Sequence, residues 1–219
     1  MRLVVLVPVL GRPHRVEPLV RSLRATTPLP HRVLFLADAG DDEEIRAVQE
    51  CAGATLVVVG GAERWSYARK INLGVRASTE PLIFTGADDL DFKPGWLTAA
   101  LARMVPGISV VGVNDLGTAR VREGRHATSF LVRRPYVERG TIDRPGDLMH
   151  EGYHHNYPDD ELAETARLRG AIAFATDAIV EHVHPHFGRA DDDDVYALGR
   201  SQFKRDRTRF LARRPLWAS

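Results

Sequence analysis

Three aspartates follow an apolar segment near the middle of the chain. The apolar residues are 81–85, and Asp88, Asp89 and Asp91 come directly after them. If the chain stays extended, Asp89 and Asp91 point to one face of the strand and Asp88 to the other. Clustered carboxylates repel one another, and a bound Mg²⁺ or Mn²⁺ relieves that repulsion and can also hold a substrate diphosphate. The alternative is structural: Asp88 is a turn or helix-capping residue and the other two aspartates are solvated.

Histidines and further aspartates cluster in the second half of the chain. His182, His184 and His186 alternate at the end of a predicted strand, so an extended chain places the three on one face. Each is either a metal ligand or a core side chain bonded to a carbonyl. The histidines of 150–155 are expected in a mobile acceptor loop, and the acidic run 191–194 is expected in solvent.

The elements that position these residues alternate between strand and helix in the first half. That alternation is typical of βαβ units around a parallel sheet, whose ligands bind beyond the carboxyl ends of the strands. The segments after those ends are 8–12, 38–42, 60–64 and 86–91. The predicted strands are 3–7, 32–36, 55–59 and 81–85, and the predicted helices are 16–24, 42–52 and 67–77.

The second half is predicted with less detail. We expect helices at 96–104 and 159–168 and strands at 108–113, 127–132, 171–176 and 179–183. No structure is assigned to the rest of 114–157. The basic stretch 204–214 is expected to be a solvated helix face, with a membrane or anionic-acceptor patch as the alternative.

Composition limits the classes of protein that fit. A chain of 219 residues with 44% hydrophobic content is long enough for one core, which predicts a single domain. The net charge of +1 gives no indication of a nucleic-acid partner. Cys51, the one cysteine, fits a reducing compartment, and we expect the cytoplasm. The N-terminal apolar run is short and ends at Pro8, so it predicts a buried strand instead of a signal peptide, and no segment is long enough to span a membrane.

The motifs resemble those of glycosyltransferase family 2, an α/β family with the GT-A, Rossmann-like fold. The resemblance extends from residue 4 to about residue 184. It rests on Val-Pro-Val-Leu-Gly-Arg-Pro at 7–13, Asp-Ala-Gly at 38–40, Tyr-Ala-Arg-Lys-Ile-Asn-Leu-Gly at 67–74 and Ala-Asp-Asp-Leu-Asp-Phe-Lys-Pro-Gly-Trp-Leu at 87–97. The last motif is the most specific, because its acidic cluster, proline and Gly-Trp-Leu keep the family's order and spacing. The familiar Asp-Asp-Gly-Ser after the second strand is here Ala-Asp-Ala-Gly.

The resemblance implies a nucleoside diphosphate sugar donor and a metal. Counted back from the proline, the family's Asp-x-Asp pair falls on Ala87 and Asp89, so Asp89 is the expected ligand and Asp91 is a second candidate. A histidine late in the chain often completes the metal shell in GT-A enzymes, and His184 holds that position. A histidine ligand favours Mn²⁺ over Mg²⁺. The implied donor site consists of Pro8, Val9, Arg12, Asp38, Arg69, Lys70, Asn72 and Asp88.

The catalytic base is also implied by the family. Inverting members carry an acidic pair at a helix start some distance before a glycine, and Asp159 and Asp160 precede Gly170 in that way. Asp159 holds the position of the base, with Asp160 as the second choice. A sugar hydroxyl needs such a carboxylate because it is a poor nucleophile until its proton is removed. The competing interpretation is that Asp159 only caps the helix.

The predicted protein is therefore a metal-dependent inverting glycosyltransferase acting on a glycan or protein acceptor. Residues 1–95 form the donor-binding half, 96–190 the acceptor-binding half and 191–219 a helical tail. One alternative is a sugar nucleotidyltransferase, although the loop after the first strand has a single glycine and is a poor phosphate loop. The other is a non-catalytic nucleotide- or carbohydrate-binding protein with the same fold.

Overall fold

A single sheet of eight strands organises the chain in the computed structural model, which describes residues 1–61 and 63–217. The described residues leave out Ala62, which belongs to the predicted ligand segment 60–64. They also leave out the last two residues of the predicted tail. The strand order is β3-β2-β1-β4-β7-β6-β8-β5. The strands are β1 (Leu3–Pro8), β2 (His31–Asp38), β3 (Ala54–Val59), β4 (Leu82–Thr85), β5 (Leu90–Phe92), β6 (Val110–Asn114), β7 (Phe130–Arg133) and β8 (Ile172–His182).

Parallel pairing dominates the sheet. β1 pairs in parallel with β2 and β4, β2 with β3, and β6 with β8, whereas β7 and β5 run antiparallel to their neighbours. The residues of β1 from Leu3 to Val7 are fully buried, as expected for a central parallel strand covered on both faces. The parallel register brings the carboxyl ends of β1, β2 and β4 to one edge, which is where the sequence placed the ligand site.

Eight α-helices cover the two faces of the sheet in the described residues. Their bounds are α1 (Val16–Thr26), α2 (Asp42–Glu50), α3 (Tyr67–Arg76), α4 (Trp96–Ala102), α5 (Ala119–Arg122), α6 (Arg134–Arg139), α7 (Pro158–Leu168) and α8 (Asp194–Arg213). Each face has its own apolar core, because alternate residues of β1 point to opposite sides: Leu3 and Val5 join one core, Val4 and Leu6 the other. Phe84, Phe92 and Trp96 pack edge to face in the first core, with centroids 4.9–5.4 Å apart.

The second half differs from prediction in three places. The strands predicted at 171–176 and 179–183 are one strand, β8, whose pairing with β6 shifts register after Val113 and so absorbs the residues between them. The short strand β5 was not predicted; it pairs antiparallel with β8 because the chain reverses after the acidic turn. The segment 114–157 contains α5, β7 and α6. Only a strand at 127–132 was predicted there.

The C-terminal helix α8 is attached to the domain by a buried carboxylate. Asp206 is fully buried, and its two oxygens accept hydrogen bonds at 2.8–2.9 Å from the backbone N–H groups of His154, His155 and Asn156. Arg213 pairs with Asp143 and Glu161. The basic stretch is therefore a solvated face only in part, and the histidine-rich loop, expected to be mobile, is held by α8.

Membrane insertion of a helix is not indicated by the described residues. Within 1–61 and 63–217, no helix combines the length and the apolar character needed to cross a bilayer.

We predict that Asp206→Ala lowers the free energy of unfolding by about 2–4 kcal/mol, because three backbone donors lose a charged acceptor. Urea denaturation followed by circular dichroism measures the change. Lys204→Ala, two positions earlier on the same helix and exposed, is the control and is expected to change stability by less than about 0.5 kcal/mol. Equal stability of the two variants would show that Asp206 does not anchor the loop.

Candidate active site

A pocket of about 480 Å³ lies at the carboxyl edge of the sheet, between the ends of β1 and β4 and the N-termini of α7 and α8. Its volume is within the range of small-molecule sites. The predicted site residues that line it are Pro8, Val9, Arg12, Lys70, Asp88, Asp89, Asp159, Asp160 and His184. Four predicted site residues do not line it: Asp38, Arg69, Asn72 and Asp91.

Asp88 and Asp89 form a turn at the end of β4. The chain leaves the strand through Gly86, whose N–H donates to the Leu6 carbonyl at 2.8 Å. A Cβ on Gly86 would lie 2.9 Å from that carbonyl oxygen, so the close approach requires glycine. Because residues 88–89 turn and do not stay extended, both carboxylates reach the pocket. The expectation that they point to opposite faces is wrong.

The two carboxylates have different electrostatic surroundings. Burial raises the pKa of Asp88 to about 7, and the negative charge of Asp89 adds to this effect. Burial acts in the same direction on Asp89, but the charge of His182 and a hydrogen bond from the Tyr196 hydroxyl outweigh it and lower the pKa of Asp89. Asp89 is therefore the carboxylate that stays ionised.

Asp91 lies outside the pocket, so the structure does not bring it together with the other predicted metal ligands. It belongs to β5, where it stands opposite Glu181 of β8. The Lys93 ammonium lies 2.6 Å from the Asp91 carboxylate and 2.8 Å from that of Glu181. The turn at Asp88 and Asp89 shifts the alternation of side chains, which sends Asp91 to the partly exposed outer side.

Two of the three predicted histidines approach Asp89. The Nε2 of His182 lies 3.1 Å from Asp89 Oδ1, and ring nitrogens of His182 and His184 and a carboxylate oxygen of Asp89 all lie within 4.8 Å of one another. Burial, reinforced by the charge of His182, lowers the pKa of His184 to about 4, so its imidazole is neutral at pH 7. His186 does not line the pocket, because the chain enters a 3₁₀ turn at Pro185 and the alternation ends.

The helix α8 contributes a residue that the sequence analysis missed. The Tyr196 hydroxyl donates to Asp89 Oδ2 at 3.0 Å, and its ring lies 3.6 Å beneath the Arg12 guanidinium. Arg12 also donates two hydrogen bonds, at 2.7 and 2.8 Å, to Asp193, which caps α8 by accepting from the N–H groups of Val195 and Tyr196. Asp193 is therefore paired and only partly solvated, whereas the run 191–194 was expected in solvent.

Arg12 is held on its backbone side by a second buried carboxylate. Its N–H donates to Glu44 Oε2 at 2.7 Å, and Glu44 on α2 is fully buried. Burial raises the pKa of Glu44, and the N–H of Arg12 opposes that shift. The segment 8–12 is thus fixed in the pocket wall by α2 beneath it and by α8 in front of it.

Asp159 and Asp160 line the same pocket, at the N-terminus of α7. The helix starts at Pro158, and its N-cap is Tyr157, which has a left-handed backbone (φ 73°) and no side-chain cap. Asp159 is therefore not the N-cap, although it lies in the first turn, where a carboxylate also interacts favourably with the helix dipole. His126 lies between the two carboxylates, with Nε2 3.5 Å from Asp159 Oδ2 and Nδ1 3.9 Å from Asp160 Oδ1. Burial and the charge of Asp159 raise the pKa of Asp160 to about 6.

Asp38 lies behind the pocket wall, where protein groups use both of its oxygens. Lys70 Nζ donates to Asp38 Oδ2 at 2.7 Å and to the Val9 carbonyl at 2.8 Å, and the Trp65 N–H donates to Asp38 Oδ1 at 3.0 Å. Desolvation lowers the pKa of Lys70, against the favourable effect of Asp38. Lys70 and Asp38 thus form a buried pair that connects β2 to the loop after β1.

The two other residues predicted from the third helix have structural roles. The guanidinium of Arg69 lies 4.0 Å from the centre of the Trp65 ring. The Asn72 amide bonds both backbone groups of Met149, accepting from its N–H at 3.0 Å and donating to its carbonyl at 2.8 Å. Asn72 therefore anchors the loop before α7 and does not line the pocket.

Some functional residues were missed because their partners are distant in sequence. Tyr196 and His126 stand in segments without a motif, and only the fold brings them to Asp89 and Asp159. Glu44 carried a weak signal: it lies four positions before Val48 on α2, on the face that a helix buries.

Comparison with known proteins agrees with this geometry. The sequence matches the family model described as glycosyl transferase family 2 over residues 4–157. This chain therefore belongs to glycosyltransferase family 2. The predictions of the family and of the GT-A fold are confirmed. No curated protein matches the sequence.

Solved glycosyltransferases share the fold at low sequence identity. Mannosyltransferase PcManGT from Pyrobaculum calidifontis, in complex with GDP-Man and Mn²⁺, has a TM-score of 0.65 at 18% identity, over 85% of this chain and 58% of that one. S. aureus TarS 1-349 in complex with UDP has a TM-score of 0.64 at 15% identity, over 82% of this chain and 59% of that one. Glucosyl-3-phosphoglycerate synthase from Mycobacterium tuberculosis, in complex with Mn²⁺, UDP-Glc and phosphoglyceric acid, has a TM-score of 0.57 at 16% identity. The match covers 90% of this chain and 74% of that one. The chain thus spans less than three fifths of the first two.

We predict that Lys70→Met lowers the free energy of unfolding by about 3–5 kcal/mol, because it leaves the Asp38 carboxylate buried without its cation. The double variant with Asp38→Asn is expected to recover at least about half of that loss. Urea denaturation of the two single variants and the double variant gives the coupling energy. Additive effects would contradict a buried ion pair.

Proposed function

We propose that this protein is a metal-dependent, inverting glycosyltransferase that moves a sugar from a nucleoside diphosphate sugar to an acceptor hydroxyl. The observation that carries the proposal is that Asp89, His184 and Asp159, which come from three separate segments of the chain, line one pocket. A group that holds the leaving diphosphate and a base that activates the nucleophile must stand on opposite sides of the sugar for inversion.

The residues around Asp89 fit a divalent cation. Asp89 Oδ1 is buried and has no hydrogen-bond donor among the described residues, because His182 approaches it without hydrogen-bond alignment. An ionised carboxylate beside a neutral imidazole is an oxygen and nitrogen donor set that suits Mn²⁺, with Mg²⁺ as the alternative. When bound, such a cation would stabilise the negative charge of the departing diphosphate. Asp89 and His184 would hold it.

The donor is expected along the wall formed by β1 and its loop. Pro8 and Val9 give an apolar surface, and Arg64 and Trp65 line the same pocket. Desolvation lowers the pKa of Arg64, although its guanidinium stays charged at pH 7 and is available to an anionic ligand. Arg12 neutralises Asp88 at 3.4 Å, which reduces the repulsion that a diphosphate would meet there.

Related structures support the donor class. The mannosyltransferase was solved with GDP-Man and Mn²⁺, and the glucosyl-3-phosphoglycerate synthase with UDP-Glc and Mn²⁺. Both share this fold, and a nucleoside diphosphate sugar is common to them. We therefore extend the class of donor to this chain and leave the sugar and the base open.

Asp159 is the proposed base. It lines the pocket from the first turn of α7, and it is not the N-cap of that helix. Its carboxylate would take the proton of the acceptor hydroxyl as that oxygen attacks the anomeric carbon and the bond to the diphosphate breaks. Asp160, whose raised pKa makes it a weaker candidate for an ionised base, would remain the second carboxylate of the pair.

The acceptor is proposed to be a glycan or a protein hydroxyl that enters beside Asp159. Tyr157 and Phe203 line that part of the pocket, and their rings lie 5.6 Å apart. We retain the division into a donor half at 1–95, an acceptor half at 96–190 and a tail at 191–219. Tyr196 and Phe203 add the tail to the pocket, so the tail is proposed to take part in binding.

Asp89→Ala is predicted to abolish metal-dependent donor binding. A thermal-shift screen of UDP-Glc, UDP-GlcNAc and GDP-Man, each with and without Mn²⁺, measures it, because a ligand that binds the folded form raises the melting temperature. The wild-type protein should be stabilised by at least one donor with Mn²⁺, and Asp89→Ala should not. Asp91→Ala, altered just outside the pocket, is the control and should respond as the wild type. The proposal would be contradicted if the melting temperature of the wild-type protein did not change with any of the three donors, with or without Mn²⁺.

Asp159→Asn is predicted to keep donor binding and to lose turnover by about 10²- to 10⁴-fold, the usual contribution of a general base. Release of nucleoside diphosphate from the donor found in the screen, with water as acceptor and Mn²⁺ present, is the measurement. Unchanged turnover in this variant would exclude Asp159 as the base.

A further inference from the structure

His126 is the one imidazole that contacts both carboxylates of the proposed base pair in the described part of the chain. Its side chain is 11% exposed, and it stands behind Asp159 and Asp160, outside the lining of the pocket. The two ring nitrogens face different carboxylates, at 3.5 and 3.9 Å. A ring in this place contacts the proposed base without contacting the substrate.

The backbone on both sides of His126 is fixed to its surroundings. Ala127 is fully buried against β6, where a Cβ added to Gly112 would lie 2.6 Å from the Ala127 Cβ. On the other side, the Arg125 carbonyl accepts a hydrogen bond at 3.0 Å from Arg167, which belongs to α7. The helix that carries the two aspartates therefore also holds the segment that carries the imidazole.

We propose that His126 is the positioning residue for Asp159, a charged imidazole that separates the Asp159 and Asp160 carboxylates and directs Asp159 towards the pocket. The inference rests on the proposed role of Asp159 as the base. The proton of the acceptor hydroxyl goes to Asp159, the acceptor oxygen forms a bond to the anomeric carbon, and the electron pair of the broken bond leaves with the diphosphate. His126 keeps its own protons throughout.

The surrounding charges favour this state of the imidazole. Burial lowers the pKa of His126, but Asp159 and Asp160 outweigh it and raise that pKa, with Arg120 acting in the opposite direction. Arg120 lies 3.9 Å from Asp160, and Glu164 on the same helix adds negative charge near Asp160. A cation between two carboxylates favours the ionised form of both. Removing it should make Asp159 harder to ionise, so the acid limb of turnover should move to higher pH.

The first test removes the positive charge at position 126 but keeps an N–H donor there. His126→Gln should lower kcat by between about ten- and a hundredfold at pH 7, the scale of a misplaced reacting group, with an unchanged KM for the donor. The acid limb of its kcat profile should lie at higher pH than in the wild type. Adding Asp160→Asn should return that limb towards the wild-type position, because the repulsion that His126 offsets is then absent. Nucleoside diphosphate release from the donor of the thermal-shift screen is the assay.

The second test does not depend on turnover. A nuclear magnetic resonance titration of the imidazole signals, with His126 assigned by its loss in His126→Gln, should give a lower His126 pKa in Asp159→Asn than in the wild type. An unchanged His126 titration in Asp159→Asn would overturn the proposal. His14→Gln, at an exposed histidine, is the control and should match the wild type in both tests.

The outcomes separate this inference from the proposed function. If Asp159→Asn is inactive while His126→Gln has wild-type kcat and pH profile, the base stands and the positioning role of His126 fails. If Asp159→Asn is fully active, the proposed base itself fails. If His126→Gln regains its kcat at high Mn²⁺ concentration, the three residues form a second cation site, and the positioning role is overturned.

Discussion

The structure depends on neutralising carboxylates that the fold concentrates at one edge of a parallel sheet. Asp38, Asp88 and Asp89 follow strand ends, and each has a cationic partner supplied from another element: Lys70, Arg12 and His182 respectively. Burial makes an unpaired charge costly, so each partner must be close and fixed. Lys70 belongs to α3 and His182 to β8, and Arg12 is held by α2 and by the N-cap of α8. These elements therefore define the pocket as much as the aspartates do.

The C-terminal helix shows how far this requirement reaches. Arg12, which offsets Asp88, is itself held by Asp193, and the adjoining turn of α8 delivers the Tyr196 hydroxyl to Asp89. The same helix secures the loop before α7 through Asp206. One helix outside the region matched by the family model thus contacts both walls of the pocket. Residues of the tail therefore form part of the pocket lining.

Sequence reasoning reached the fold because local patterns determine it, and it reached the site only where a motif coincides with the end of a strand or the start of a helix. Asp88, Asp89 and Asp159 follow from such coincidences. Asp91 lies outside the pocket because a turn of two residues changes the alternation of side chains, and Asn72 bonds to Met149, a partner that is distant in sequence. Tyr196, Glu44 and His126 could not be found, since their contacts exist only after the chain has folded.

The two acidic pairs of the pocket have similar electrostatic surroundings, and this similarity agrees with the different roles proposed for the members of each pair. In each pair one aspartate has a raised pKa, Asp88 near 7 and Asp160 near 6, because burial and a like charge act together. A histidine lies beside the partner: His182 at Asp89 and His126 at Asp159. Environments that separate the pKa values of neighbouring carboxylates assign them different roles. The buried Asp89 is suited to hold a cation, and the less buried Asp159 to accept a proton.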